Sequence, residues 1–189
     1  MKVFMLLYDD FSDFEITQLL LLLREHPLTT VGFKKEFVKS IGQLKVIADI
    51  SIEELNIKDV DLFIIPGGEP KNFINDKAYS KKIKILNKKL QQIIENKKII
   101  AAICGGPTFL ANAGILNGIN CTASIADDEK LYYENTNFKD TDIEINSNII
   151  TAKGQAFTEF AVAVAQICDI IKTTKEAKSA IAWFRNEEN

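Results

Sequence analysis

Histidine is almost missing from this chain of 189 residues: there is one, His26. That scarcity excludes histidine-rich metal sites and makes any Cys-His or Ser-His pair depend on a single residue. Cysteine is sparse too, at Cys104, Cys121 and Cys168. An odd count without paired spacing makes no disulfide framework, and the lack of a Cys-x-x-Cys pair leaves no metal site to expect. Long hydrophobic runs are lacking, and none approaches the ~18 apolar residues of a membrane span. The first ten residues have only a short apolar stretch before Asp9 and Asp10, without the long apolar segment and cleavage site of a signal peptide. A reduced, cytoplasmic protein with no membrane partner is therefore the expectation. A basic excess is lacking as well: 23 Lys and Arg stand against 26 Asp and Glu, for a net charge of −3. Phosphate backbones demand a local basic surplus, so nucleic acid is not an expected partner. The lysines of residues 81–98 are interleaved with Ile83, Ile85, Leu86, Leu90, Ile93 and Ile94, which reads as the solvated face of an amphipathic helix.

What is present is an ordinary globular balance, 47% hydrophobic and 26% charged. The length suits one domain over residues 1–189, with a core at about 2–171 and a C-terminal helix at 175–184. Apolar runs at 3–8, 29–33, 62–65, 99–103 and 149–152 read as buried strands. Helical spacing appears at 14–25, 78–96, 107–113, 157–171 and 175–184. Residues 36–50 fit a small hairpin or edge strands, and 121–124 and 143–145 further strands. Ser12-Asp-Phe-Glu15 and Ser51-Ile-Glu-Glu54 each match a capping box. Strand and helix alternate, so the chemistry of connection predicts a mostly parallel sheet with helices on both faces, a three-layer α/β sandwich. Sites in such sheets lie beyond the carboxyl ends of the strands. Three loops converge there: residues 9–15, 66–70 and 104–107.

Cys104 stands at a strand-to-helix turn, in Ala101-Ala-Ile-Cys-Gly-Gly-Pro107. Pro107 suits the first turn of a helix. A thiol displayed at a tight elbow beside a helix N-terminus is expected to be acidified and reactive, and Gly105 and Gly106 supply the small neighbours an elbow requires. The N–H groups of Gly105 and of Gly68, on the neighbouring loop, are candidates to polarise a carbonyl or hold an oxyanion. Free cysteine is also among the most buried residue types, so an inert core position is the competing reading, and it is the expected one for Cys121 and Cys168. Glu15 is either a capping-box member or a carboxyl partner of Cys104. Ionised, it raises the thiol pKa; protonated, it donates to the thiolate. Pro66-Gly67-Gly68 alone is enough for a plain turn.

Four segments in order resemble the ThiJ/PfpI superfamily, with its class I glutamine-amidotransferase-like, flavodoxin-like fold. They are Asp10-Phe-Ser-Asp-Phe-Glu15; Asp61-Leu-Phe-Ile-Ile-Pro-Gly-Gly68; Ile99-Ile-Ala-Ala-Ile-Cys-Gly-Gly-Pro-Thr108 with Leu110-Ala-Asn-Ala-Gly-Ile-Leu116; and Asn148-Ile-Ile-Thr-Ala-Lys-Gly154. The resemblance implies that Cys104 is the elbow cysteine, that Glu15 is the acidic residue bonded to it, and that Gly68 and Gly105 line the pocket. It implies a homodimer, a cofactor-free site without metal, and activities ranging over amidase or peptidase-like hydrolysis, isonitrile hydration, glyoxalase-type work on aldehydes, and redox or stress sensing. The departures narrow that range. The protease-like branch has a histidine after the cysteine where this chain has Gly105. Another branch has one after the strand at Cys121, where this chain has Ser124 and Ile125. His26 lies ~16 Å from Glu15 along the first helix, which argues against a Cys-His-Asp triad unless a partner subunit supplies His26, and against peptidase activity. The isonitrile branch has an aspartate at Glu15 and a threonine after the cysteine. The expected function is thus a small-molecule enzyme acting on a carbonyl or amide-type substrate through Cys104. The alternatives are a redox sensor whose partner is an oxidant, or a ligand-binding pseudoenzyme. No helix-turn-helix segment follows the core, so direct gene regulation is not expected.

Overall fold

The computed structural model describes residues 1–187. Its strands and helices run β1 (Val3–Leu7), α1 (Phe14–Leu22), β2 (Leu28–Gly32), β3 (Phe37–Lys39), β4 (Lys45–Ile47), β5 (Ile50–Ser51), β6 (Leu62–Ile65), α2 (Pro70–Ile74), α3 (Ser80–Glu95), β7 (Ile99–Ile103), α4 (Pro107–Asn112), β8 (Asn120–Cys121), β9 (Asn137–Phe138), β10 (Ile143–Asn146), β11 (Ile149–Ala152), α5 (Phe157–Ile167) and α6 (Thr174–Arg185). The main sheet has seven strands in the order β10-β11-β7-β6-β1-β2-β5. Every neighbour pair is parallel except β10 with β11.

The sequence explains why the central strands sit where they do. β1, β6 and β11 are buried at every position, and β7 at all but its first residue, as continuous apolar strands must be when both faces are covered. The step β1-α1-β2 moves toward one edge of the sheet and β6-α3-β7 toward the other. Right-handed crossovers then place α1 and α3 on opposite faces. α5 packs on α1 and α6 on α5, while α2, α3 and α4 contact one another. The inner side of α3 carries Ile83, Leu86, Leu90 and Ile93, spaced three and four apart, and its lysines face outward as the periodicity requires. Ala101 and Ala102 are fully buried and keep β7 thin enough for helices on either side. The mostly parallel three-layer sandwich is therefore the observed architecture, and no helix among the described residues is long and apolar enough to cross a membrane.

Several local expectations change. Ser12 is not the N-cap of the first helix. Asp13 holds that position without a side-chain cap bond, and α1 ends at Leu22. Ser51 N–H does donate to Glu54 Oε2 at 2.8 Å, yet the segment makes a turn rather than a helix start. The strand expected over 121–124 stops at Cys121, because β8 pairs only with the two-residue β9 in a separate small sheet. Residues 36–50 form the β3–β4 hairpin plus the edge strand β5.

The chain reverses direction in the sheet between β1 and β6, the switch point where a crevice opens at the strand ends. Tyr8, buried just beyond β1, pins the loop on the far side of that crevice. Its single O–H lies 2.8 Å from both the Pro66 and Gly67 carbonyls, and its ring packs edge-on against Phe73 and Phe109. Tyr8→Phe keeps the packing and removes the donor. It should destabilise the protein by about 1–3 kcal/mol in urea unfolding, because buried carbonyls lose their partner.

Candidate active site

Three strand ends assemble the site. The loop after β1 leads into α1, whose second residue is Glu15; the loop after β6 carries Gly67 and Gly68; the turn after β7 carries Cys104. Glu15 is 2% exposed, an unusual burial for a carboxyl group. Instead of reaching back to cap α1, its Oε2 accepts the Gly67 N–H at 3.1 Å. The Ser12 hydroxyl and the Cys104 thiol lie beside the carboxylate. Gly67 has no room for a side chain: a Cβ there would stand 2.1 Å from Glu15 Oε2 and 2.6 Å from Cys104 Cβ. The glycine is thus what allows carboxylate, backbone and thiol to meet.

Cys104 has φ of 60°, the left-handed conformation that costs a residue with a side chain about 1–2 kcal/mol. Its surroundings hold it there. Its N–H donates to the Ala152 carbonyl at 2.8 Å, and its own carbonyl accepts the Ser124 N–H at 2.9 Å. Gly106 N–H closes the turn onto Ile103 at 2.8 Å. The strain displays the sulfur at the floor of an open cavity of about 610 Å³, in the range of small-molecule sites. Its walls include Gly68, Glu69, Ser124, Phe138 and Lys153. Lys153 pairs with the exposed Asp140 at the rim.

The acidified thiol expected from helix placement is not what this environment produces. α4 has six residues and starts three positions after Cys104, too far to offset burial. Burial pushes the thiol up to about 12, the nearby Glu15 carboxylate adds to the rise, and bonds from Gly105 N–H and the Ser124 hydroxyl pull the other way. Burial likewise lifts Glu15 above the usual carboxylate range, against the bonds from Cys104, Gly67 and Ser12. Burial thus works against charge on either group, and a charge on Glu15 works further against a thiolate on Cys104.

All four residues singled out from the sequence come together. Gly105 N–H is directed at the sulfur, and Gly68 approaches so closely that a Cβ on Gly105 would lie 2.2 Å from the Gly68 carbonyl oxygen. His26 precedes β2 and so sits at the opposite, amino-terminal edge of the sheet. Cys121 is buried with its thiol pushed up by burial, and burial pushes Cys168 up to about 11. Sequence reasoning missed the parts played by Ser124, Tyr8 and Gly154. Ser124 was visible only as the occupant of a place where relatives carry histidine.

The DJ-1/PfpI family model matches residues 1–167. The chain belongs to the DJ-1/PfpI family. Among relatives, it is 32% identical over 147 residues to a Bacillus subtilis protein named an uncharacterized protease, covering 76% of this chain and 67% of that one. It is 25% identical over 157 residues to a deglycase of Thermococcus kodakarensis, covering 81% and 90%. Among solved structures, the ThiJ/PfpI family protein of Bacillus anthracis superposes with a TM-score of 0.82 at 25% identity, over 98% of this chain and 91% of the other. The Cys104 elbow and the Pro66-Gly67-Gly68 loop thus belong to a DJ-1/PfpI domain.

Two outcomes follow from the geometry. Cys104→Gly should be more stable than Cys104→Ala by about 1 kcal/mol in chemical denaturation, since both remove the thiol and only glycine relieves the left-handed strain. Glu15→Gln should melt at a higher temperature than the native protein at neutral pH. A carboxyl whose folded pKa is raised favours the fold when protonated. Its destabilising effect is absent below the ordinary glutamate range and grows as pH rises through the folded pKa, so the gap in melting temperature should close in acid.

Proposed function

We propose that this DJ-1/PfpI protein is a cofactor-free enzyme that adds Cys104 to the carbonyl carbon of a small substrate, with Glu15 as the general base. The observation that carries the reading is the buried Glu15 carboxyl packed beside Cys104, which lines a substrate-sized cavity. As the C–S bond forms, the thiol proton passes to Glu15 and the carbonyl electron pair moves onto oxygen. Glu15 then returns the proton to that oxygen, giving a hemithioacetal. In this reading the N–H groups of Gly68 and Gly105 receive the developing charge. Burial makes the Glu15 carboxylate a stronger base than an exposed one, which favours proton transfer in a site without histidine. An amide substrate would require a proton for its leaving amine, and Glu15 is the one group beside the thiol that can supply it; aldehydes make no such demand and fit the site better.

Peptidase chemistry finds no support here, since the sole histidine lies at the other edge of the sheet. The sensor reading is also weakened. Peroxide attacks thiolates, and burial together with the Glu15 carboxylate works against the thiolate form of Cys104.

A panel of small aldehydes and amides tests the proposal. Turnover of an aldehyde is expected, lost in Cys104→Ser and reduced about 10²–10⁴-fold in Glu15→Gln. The Glu15→Gln variant should also show a lower Cys104 pKa by alkylation against pH, because the neighbouring charge is gone. A more acidic thiol with poorer turnover is the signature of a lost base. Turnover that survives Cys104→Ser, or none on any member of the panel, overturns the proposal.

A further inference from the structure

Ser124 stands beside the reacting pair with its hydroxyl uncommitted in one direction only. Its oxygen accepts the Gly154 N–H at 2.9 Å, which fixes the oxygen and leaves the hydroxyl hydrogen free to donate. Its backbone N–H donates to the Cys104 carbonyl at 2.9 Å, so the residue is tied to the elbow at two points. Gly154 makes the approach possible. A Cβ at that position would stand 2.9 Å from Cys104 Sγ and 3.0 Å from Glu15 Oε1. With a bare backbone there, Gly154 lies against the sulfur and the Ser124 hydroxyl together, and Ser124 and Cys104 line the same cavity.

We propose that Ser124 is a catalytic residue that donates its O–H hydrogen bond to the Cys104 sulfur, stabilising the thiolate as the proton leaves for Glu15. The inference rests on the reading of Cys104 as the reacting atom. No bond to Ser124 is made or broken: the thiol proton goes to Glu15, the charge goes to sulfur, and the hydroxyl proton stays on the Ser124 oxygen. Gly105 N–H meets the same sulfur, so the thiolate gains two donors as it forms. A serine hydroxyl is neutral across the working pH range and cannot act as the base. It therefore complements Glu15 rather than duplicating it, in a chain whose only histidine is remote.

The test is the rate of iodoacetamide alkylation at Cys104 against pH, followed by peptide mass spectrometry so that Cys121 and Cys168 do not contribute. Native protein, Ser124→Ala and Ser124→Thr are compared. A hydrogen bond to a charged group predicts that Ser124→Ala moves the profile to higher pH and slows alkylation at fixed pH about tenfold. Ser124→Thr, which keeps the hydroxyl, should return to within about twofold of native. Turnover of the aldehyde identified by the panel should follow the same order. A Ser124→Ala profile superimposable on the native one overturns the inference, including the case in which the variant only melts earlier, because a purely structural serine lowers stability without moving the thiol pKa. A native Cys104 that resists alkylation at every pH is a separate failure: it overturns the reactive-cysteine reading on which this one stands.

Discussion

Glu15 and Cys104 lie side by side where burial works against charge on either. Burial pushes both groups toward their neutral forms, and the Glu15 charge disfavours a thiolate on Cys104 further. Much of the surrounding architecture serves to hold the two groups together despite that cost. Tyr8 clamps the loop whose Gly67 N–H supports the carboxylate, while Gly67 and Gly154 lack the side chains that would separate the pair. The elbow itself stays in a left-handed conformation because β11 and the Ser124 segment hydrogen-bond it from either side. The strain and the buried carboxyl are local losses of stability, offset by the thoroughly apolar central strands behind them.

This balance also explains how a cysteine can serve in a chain with one remote histidine. In a triad, an imidazole supplies both the base and the charge that stabilises the thiolate. In the proposed mechanism those tasks fall to different groups. A carboxylate made more basic by burial takes the proton, and neutral donors from backbone and side chain receive the charge that moves to sulfur. Such a division suits addition to a carbonyl, which needs a proton moved over a short distance and returned.

The sequence made the architecture legible because its signals were local. Continuous apolar strands, the α3 periodicity and Pro107 at the start of α4 each rest on a few neighbouring residues, and the alternation of elements then dictates a parallel sheet. The convergence of Glu15, Gly68, Cys104 and Gly105 was likewise readable, since all lie just past strand ends. What failed depended on distant contacts. Ser12-Asp-Phe-Glu15 has the pattern of a capping box, yet Gly67, far away in sequence, captures the Glu15 side chain instead. The thiol was expected to be acidic from its place near a helix, but burial and the Glu15 charge outweigh a short helix that starts three residues later. Ser124 fell inside an expected strand, and only the fold, by bringing Gly154 alongside, shows which way its hydroxyl is free to point.

The most direct measurement is an infrared titration that follows the Cys104 S–H stretch and the Glu15 carboxyl band in the same sample, assigned by their disappearance in Cys104→Ser and Glu15→Gln. The account predicts that at neutral pH the S–H band is present and Glu15 is ionised, with the carboxyl titrating above the ordinary glutamate range. A protonated Glu15 carboxyl accompanied by loss of the S–H band at neutral pH would contradict it, because the proton would then already rest on the carboxylate before any substrate arrives.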